Sequence, residues 1–238
     1  MFEFIRKIFK LKKVEQKPLN KITSPPPSPA PSLQKAPSIK SHNLPNYISK
    51  TVTPPEQIVD PEIKKLYDEF VLPYKDIFSL HQASKGILNL LELLQKYGHC
   101  PSLRLNSKFS NILSPQVEVF SKVSLKEHSI NTAREIIKLV NYEIKGDNTL
   151  FMPIYITAAL GHDIGKVPEF SNSKYYVTAD HPIIGANIVR RCFEKSNVSW
   201  IEDVVQAIIN HHRQSTKTLD RLLVLADQFA RGKELIQF

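Results

Sequence analysis

Residues 158–168 read "AALGHDIGKVP", and this stretch decides how the rest of the chain is interpreted. An apolar run, "TLFMPIYITAAL", ends at Gly161 and is followed at once by His162 and Asp163. Burying a histidine beside a carboxylate costs free energy unless both groups are paired or bind a metal. The pair therefore predicts that other polar residues share a site at the end of this apolar segment.

Histidines recur through the second half of the chain. Five of the eight histidines fall where a helix is predicted to begin, to end or to meet a loop: His128 in "KEHSINTAREIIKLV", His162, His181 in "DHPIIGANIV", and His211 and His212 in "VVQAIINHH". Asp227 lies in the middle of "RLLVLADQFAR", about one turn from Leu223, and so at or near an apolar helix face. Because the ends of several helices can converge on one point, these residues are predicted to form one cluster.

Imidazole nitrogens combined with carboxylate oxygens suit Mn, Fe, Co, Ni or Zn, whereas sites made only of oxygen favour Mg and Ca. A carboxylate next to a ligating histidine can also bridge two metals, and such a pair activates water and binds a phosphoryl group. Lys166, three residues after Asp163, is then within reach of a phosphate oxygen as a point charge. The other interpretation of Lys166 is a cap on the preceding helix.

The histidines have structural interpretations as well. His162 fits a core histidine that is satisfied by the neighbouring carboxylate. His181 fits a helix start that contains proline, and the pair at 211 and 212 fits a solvated helix end whose carbonyls favour cations.

The ordered pattern H…HD…D, formed by His128, His162 with Asp163, and Asp227, resembles the HD superfamily of metal-dependent phosphohydrolases. The longer form "HDIGK", followed by "HPIIGANIV" and "INHH", is similar to the subset with two metals, which includes the HD-GYP cyclic-dinucleotide phosphodiesterases. The resemblance implies a bundle in which those four residues hold one metal. It also implies a second metal, held by His181 and His211 with Asp163 bridging, with His212 as a further ligand or substrate contact and Lys166 as the phosphate contact.

Two departures from that subset narrow the prediction. After "HH" the HD-GYP family continues with a glycine-rich "GYP" stretch, whereas this chain reads "RQSTKTLDRLL", which speaks against cyclic di-GMP as the substrate. The glutamate that precedes the first histidine by one turn in members with three metals falls at Ser124, which speaks against a third metal.

The predicted function is a metal-dependent phosphohydrolase that acts on a nucleotide or phosphodiester with one or two divalent transition-metal ions. A metal-bound hydroxide would attack phosphorus, Asp163 would orient the water or accept its proton, and Lys166 would stabilise the developing charge. The alternative is a catalytically silent HD-type regulatory module that binds a nucleotide or metal, associated with nucleic-acid transfer or membrane localisation. Turnover distinguishes the two.

The fold class is predicted to be all-α: an HD-domain helical bundle with a helical N-terminal extension and a disordered proline-rich tail. The chain has only seven glycines and no repeated alternation of apolar and polar residues. Capping boxes in "SLKE" (124–127) and "SWIE" (199–202) predict two helix starts. Asp60 with Pro61 predicts another start, Pro73 a bend or end, and Gly98 a stop.

Four segments are predicted: a short basic amphipathic segment (1–16), a disordered proline-rich linker (17–59), a helical extension of unknown role (60–114) and the HD-type metallohydrolase domain (115–238). The net charge of +9 is concentrated at the start, because residues 1–53 carry ten basic and two acidic side chains and the remaining residues carry 22 and 21. The basic charge is therefore a property of the tail.

The first residues, "MFEFIRKIFKLKK" (1–13), are either a weak anchor on anionic lipid or a solvated terminus. No stretch is long and apolar enough to span a bilayer, and Cys100 and Cys192 lack the density of a disulfide scaffold. The predicted location is cytoplasmic, with peripheral contact at the inner membrane surface. Nucleic acid stays open as a partner, and the sequence does not indicate an oligomeric state.

Overall fold

The structure is a computed structural model that describes residues 58–103, 115–170 and 181–237. Regular structure in these residues is helical, without a strand, and the one isolated bridge joins Pro101 to Ser124. The predicted all-α class is therefore confirmed. The tail and nearly all of the linker predicted at 1–16 and 17–59, and the end of the extension at 104–114, lie outside the described residues.

The first described helix, α1 (Pro61–Leu66), begins where the sequence predicts. The Asp60 side chain accepts hydrogen bonds from the backbone N–H groups of Glu62 and Ile63, at 3.0 Å each, and caps the helix. The chain continues through a wide π turn (Tyr67–Val71) and a 3₁₀ turn (Leu72–Tyr74) into α2 (Lys75–Leu80). Pro73 cannot donate within a continuing helix, and it lies in the 3₁₀ turn that separates the π turn from α2.

Helix α3 (Ser84–Tyr97) is amphipathic and ends at Gly98, as predicted. After it, residues 98–102 form a segment, called the strap below, that crosses the start of the next long helix. Three backbone hydrogen bonds fix the strap: Lys126 N to Gly98 O, Leu125 N to Cys100 O, and Ser102 N to Val123 O, at 2.7, 2.7 and 2.8 Å.

The second half of the chain forms six further α-helices: α4 (Pro115–Lys122), α5 (Leu125–Glu143), α6 (Met152–Gly161), α7 (His181–Cys192), α8 (Ile201–Asn210) and α9 (Thr218–Gln237). Helix α6 is apolar on all sides and buried along nearly its whole length. It packs against α5, α7, α8 and α9, with α5 and α9 also in extensive mutual contact. Because α6 ends inside this bundle, residues 162 and 163 lie at its centre.

The helices before residue 100 pack directly on this bundle. Helix α3 contacts α6 and α7, and Asn89 Nδ2 donates to the Cys192 carbonyl at 2.9 Å. At the other end, buried Lys126 Nζ lies 2.6 Å from Asp60 Oδ2 and 2.7 Å from Glu62 Oε2. Among the described residues no helix combines the length and apolar character needed to cross a membrane.

Candidate metal centre

Two histidines of the site are oriented by the helices that they end. His162 follows α6, and its Nδ1 lies 2.8 Å from the Ala159 carbonyl oxygen. His211 follows α8, and its Nδ1 lies 2.6 Å from the Ile208 carbonyl oxygen. Carbonyls of a last helical turn lack an intrahelical donor, and a carbonyl can only accept. Each Nδ1 must therefore carry the proton, which leaves the Nε2 lone pair of a neutral ring free to bind a metal.

The first cluster consists of His128 from α5, His162, and Asp227 from α9. Asp227 Oδ1 lies 3.1 Å from His128 Nε2 and 3.9 Å from His162 Nε2. The second cluster consists of Asp163, His181, His211 and His212. In each cluster the potential ligand atoms lie within 4.8 Å of one another, so each could surround one ion.

Asp163 lies between the two clusters. Its Oδ2 is 3.5 Å from His128 Nε2 and 3.4 Å from His162 Nε2, whereas its Oδ1 is 3.2 Å from His181 Nε2 and 3.5 Å from His211 Nε2. One carboxylate oxygen thus faces each cluster. This is the arrangement that a carboxylate bridging two metal ions requires.

The chemistry of the donor set fits metal ions. The Nε2 atoms of His128, His162 and His211 and the Oδ1 atoms of Asp163 and Asp227 are buried. Some of them lie 3.1–3.5 Å apart, but the contacts lack hydrogen-bond geometry, and these atoms form no hydrogen bond among the described residues. Leaving that many polar atoms unpaired in a core is costly. Ligand atoms about 2.0–2.2 Å from one ion stand roughly 3–4 Å apart, which matches the spacing found here.

The protonation states also suit metal binding. Burial lowers the pKa of His162 to about 3, and burial together with the neighbouring histidines lowers the pKa of His212 to about 4, so both rings are neutral at pH 7. Burial alone would raise the pKa of Asp163, but Lys166 and the surrounding histidines hold it well below its ordinary value. Burial alone would lower the pKa of His128, but the neighbouring carboxylates of Asp227 and Glu234 raise it. The site therefore presents neutral rings at His162 and His212 and an ionised carboxylate at Asp163.

Lys166 lies in the 3₁₀ turn Ile164–Lys166, directly after the His–Asp pair. Its Nζ is 2.5 Å from Asp163 Oδ2, and the residue is almost fully buried. The structure therefore brings Lys166 to the Asp163 carboxylate, while its contact with a phosphate stays a prediction. With Lys166, all seven residues predicted as ligands are gathered in this one region.

Three residues that contact the site were not predicted from the sequence. Glu234 Oε1 lies 2.9 Å from His128 Nδ1, and Arg231 Nη1 lies 3.0 Å from Glu234 Oε2 and 2.8 Å from Ser102 Oγ. The sequence did contain a signal for Arg231 and Glu234. They follow the predicted ligand Asp227 at i+4 and i+7 and therefore lie on the same helix face. Ser102, in the strap, has no such signal.

An open cavity of about 810 Å³ adjoins the centre. Its wall includes His211, His212 and Asp227 at the metal side, and also Arg213, Gln214, Ser215, Thr216, Arg221, Val224, Leu225 and Gln228. The cavity thus connects ligands of both clusters with solvent, through a wall that carries arginines, uncharged polar groups and an apolar strip of α9.

Residues 125–232 match the family model of the HD domain, a span that contains every predicted ligand from His128 to Asp227. No curated protein and no solved structure matches the chain. The predicted resemblance to the HD superfamily, whose domains bind divalent metals, is therefore confirmed for this part of the chain. Likeness to the HD-GYP subset stays a prediction.

Proposed function

We propose that the chain is a metal-dependent phosphohydrolase that cleaves a phosphate ester in a nucleotide or another phosphodiester. The observation that carries the proposal is the Asp163 carboxylate, which directs one oxygen to the His128 side of the site and the other to the His181 side, in a region where potential ligand atoms form two clusters. Two divalent ions bound there would activate water at neutral pH and neutralise phosphoryl charge. Two adjacent ion positions suit phosphoryl chemistry better than a single structural position does.

The chain's own residues have defined tasks in this reaction. A water oxygen forms a bond to phosphorus, the bond from phosphorus to the leaving oxygen breaks, and the leaving oxygen takes up the proton that the water has lost to Asp163. Asp163 orients the attacking water and takes its proton. Lys166 holds Asp163 ionised before that step and afterwards contributes positive charge beside the phosphoryl oxygens. No serine or cysteine nucleophile is required.

The cavity supports a substrate of nucleotide size. Its volume of about 810 Å³ lies within the range of about 300–1,000 Å³ that is usual for small-molecule sites. Val224 and Leu225 offer an apolar surface to a base or sugar. Arg213, next to His212, has no ion-pair partner within the described ranges and so is available to a second phosphate. These features favour a nucleotide or dinucleotide over a small phosphomonoester.

The test is the metal content of anaerobically purified protein, compared among the wild type, Asp163→Asn and Asp220→Asn. Asp220 is the matched control, because it is also buried but hydrogen-bonds Asn210 and belongs to neither cluster. We expect about two transition-metal ions per wild-type chain, loss of at least one in Asp163→Asn, and retention in Asp220→Asn. Hydrolysis of mononucleotides, cyclic nucleotides and linear dinucleotides should follow the same order.

Two results would contradict the proposal in different ways. A wild-type chain that could not be loaded with Mn²⁺, Fe²⁺, Co²⁺, Ni²⁺ or Zn²⁺ would show that the cluster is structural. A chain that held its metals and bound nucleotides but hydrolysed none of them, with any of these ions, would favour the catalytically silent module.

A further inference from the structure

His128 differs from His162 and His211 in the group that accepts the hydrogen bond from its Nδ1. His162 and His211 donate from Nδ1 to backbone carbonyls, whereas His128 Nδ1 faces the carboxylate of Glu234, at 2.9 Å. Glu234 lies on α9 and is completely buried. A buried carboxylate is costly to maintain unless it is paired, so its other contacts matter.

Glu234 is fixed by two further side chains. Arg231 Nη1 donates to Glu234 Oε2 at 3.0 Å, and Asn131 Nδ2 lies 3.4 Å from Oε1. Arg231 is in turn held by Ser102 Oγ, at 2.8 Å, and its guanidinium lies over the Phe120 ring, 4.9 Å from the ring centroid. The result is a continuous chain of contacts from Ser102 through Arg231 and Glu234 to His128.

Both ends of this series of contacts draw on residues outside the part of the sequence that matches the HD family. Ser102 precedes the matched span and Glu234 follows it. Ser102 itself is rigidly placed, because it is buried, its N–H donates to the Val123 carbonyl, and its hydroxyl donates to the Phe120 carbonyl at 3.1 Å. Flanking segments thus contribute to the surroundings of the first cluster.

We propose that Glu234 is a positioning residue of the metal centre, that it directs His128 Nε2 towards the first metal position, and that Arg231 and Ser102 hold it there. The inference rests on the metal centre of the proposed function. The carboxylate accepts a hydrogen bond from Nδ1–H, fixes the ring orientation and makes the Nε2 lone pair a stronger electron donor to the metal. Glu234 touches neither substrate nor metal and acts only through His128.

The test is Co²⁺ binding to the full chain with Glu234 replaced by glutamine. Glu234→Gln keeps the shape of the side chain and an oxygen that can accept from Nδ1, but it removes the charge. We expect a 10- to 100-fold weaker affinity for one of the two Co²⁺ ions and a changed visible absorption spectrum of that ion. Affinity is measured by competition with a chelator, so the result does not depend on hydrolysis.

Glu135→Gln is the matched control. Glu135 is also a buried carboxylate between α5 and α9, where it pairs with Lys138 at 2.9 Å and with Lys233, and it belongs to neither cluster. The Glu135→Gln variant should lose about as much stability as Glu234→Gln while it keeps wild-type Co²⁺ affinity. Ser102→Ala removes one hydrogen bond that holds Arg231. It should lower the affinity for the same Co²⁺ ion, but by a smaller factor than Glu234→Gln does.

The possible outcomes separate this inference from the proposed function. Wild-type Co²⁺ affinity and spectrum in Glu234→Gln would overturn the role of Glu234, and so would an equal loss of affinity in Glu135→Gln. Failure of the wild-type chain to bind Co²⁺ would instead overturn the metal centre itself. A weaker affinity for one Co²⁺ ion in Glu234→Gln, with wild-type affinity in Glu135→Gln, would support the positioning role even if no hydrolysed substrate had been found.

Discussion

At the scale of single residues, the site depends on close backbone contacts as much as on its ligands. The turn that carries Lys166 packs against the first turn of α7, with Gly165 facing the His181 carbonyl. A Cβ built on Gly165 would lie 2.6 Å from the Gly185 amide nitrogen and even closer to the His181 carbonyl oxygen. Because these are backbone atoms, they cannot move aside as a side chain would.

We therefore expect Gly165→Ala to displace α7 and His181 from the second cluster. The substitution should lower the free energy of unfolding by about 1–3 kcal/mol, because it overpacks a buried contact. It should also reduce metal content, with the second ion lost before the first. Chemical denaturation and metal analysis of the same preparation measure the two effects.

Gly232→Ala is the control for this prediction. Gly232 lies in α9 with open space where a Cβ would be, so alanine should be neutral or should stabilise the helix by up to about 1 kcal/mol. Retention of both ions in Gly165→Ala would show that the contact with α7 does not position His181.

At the scale of helices, the segment before residue 100 is attached to the bundle by a buried ion pair as well as by apolar packing. Lys126, at the start of α5, reaches back to Asp60, which also caps α1. Burial would raise the pKa of Asp60, but Lys126 and the capping N–H groups hold it below its ordinary value of 3.8. The carboxylate is therefore stabilised in the folded state.

A depressed carboxyl pKa gives a defined pH dependence of stability. The contribution of Asp60 is fully present above about pH 4 and is lost as the pH falls through its lower folded-state pKa. We expect Asp60→Asn, which keeps the cap, to be less stable than the wild type by about 1–2 kcal/mol at pH 7, with the difference shrinking below pH 4.

Denaturant unfolding at pH 7 and pH 3 measures this difference. Asp68→Asn is the control, because Asp68 pairs with Lys64 on the surface, and its loss should change stability by less than about 0.5 kcal/mol. A difference for Asp60→Asn that is equal at both pH values would contradict the assignment to the charged pair.

The helix starts show why some predictions from sequence hold and others do not. Ser124 accepts from the Glu127 N–H at 3.1 Å, as the first capping box predicts, because the strap carbonyls take the N–H groups of Leu125 and Lys126 and leave that of Glu127 to the cap. The capping box at Ser199 was wrong: α8 begins at Ile201 after Trp200, without a side-chain cap. Trp200 packs against Phe193, with ring centroids 5.7 Å apart, and takes the N-cap position in place of Ser199.

The residues of the site also divide into those with a local sequence signal and those that only tertiary packing reveals. The His–Asp pair and the other helix-end histidines could be predicted, because their residue types are unusual in apolar surroundings and their order matches a known pattern. Glu234 was missed because a glutamate on a long charged helix is ordinary until the packing shows that it is buried. The strap was missed because its three hydrogen bonds join residues 21, 25 and 28 positions apart without a local motif.

At the scale of the whole molecule, the charge is divided unevenly. Residues 1–53 account for +8 of the net +9, and five basic side chains fall among residues 6–13. We propose that this segment binds anionic lipid surfaces. Each lysine or arginine near such a surface contributes about 1 kcal/mol at physiological salt, so the five together give measurable but reversible binding.

Replacing Arg6, Lys7, Lys10, Lys12 and Lys13 with glutamine in the full chain should abolish co-sedimentation with phosphatidylserine vesicles and leave metal content unchanged. The control replaces five exposed lysines elsewhere: Lys65, Lys75, Lys96, Lys195 and Lys217. Binding that survives the first set of changes, or that falls equally in both variants, would contradict a lipid-binding role for the segment.

The ligands of the centre come from five helices, and His128 and Asp227 are about 100 residues apart in the chain. Closing so long a loop is slow and entropically costly, and no short piece of the chain holds a complete set of ligands. Metal uptake is therefore expected to follow folding rather than to nucleate it. An ion bound last acts on the rate of opening, so its main effect would be to lengthen the lifetime of the folded chain.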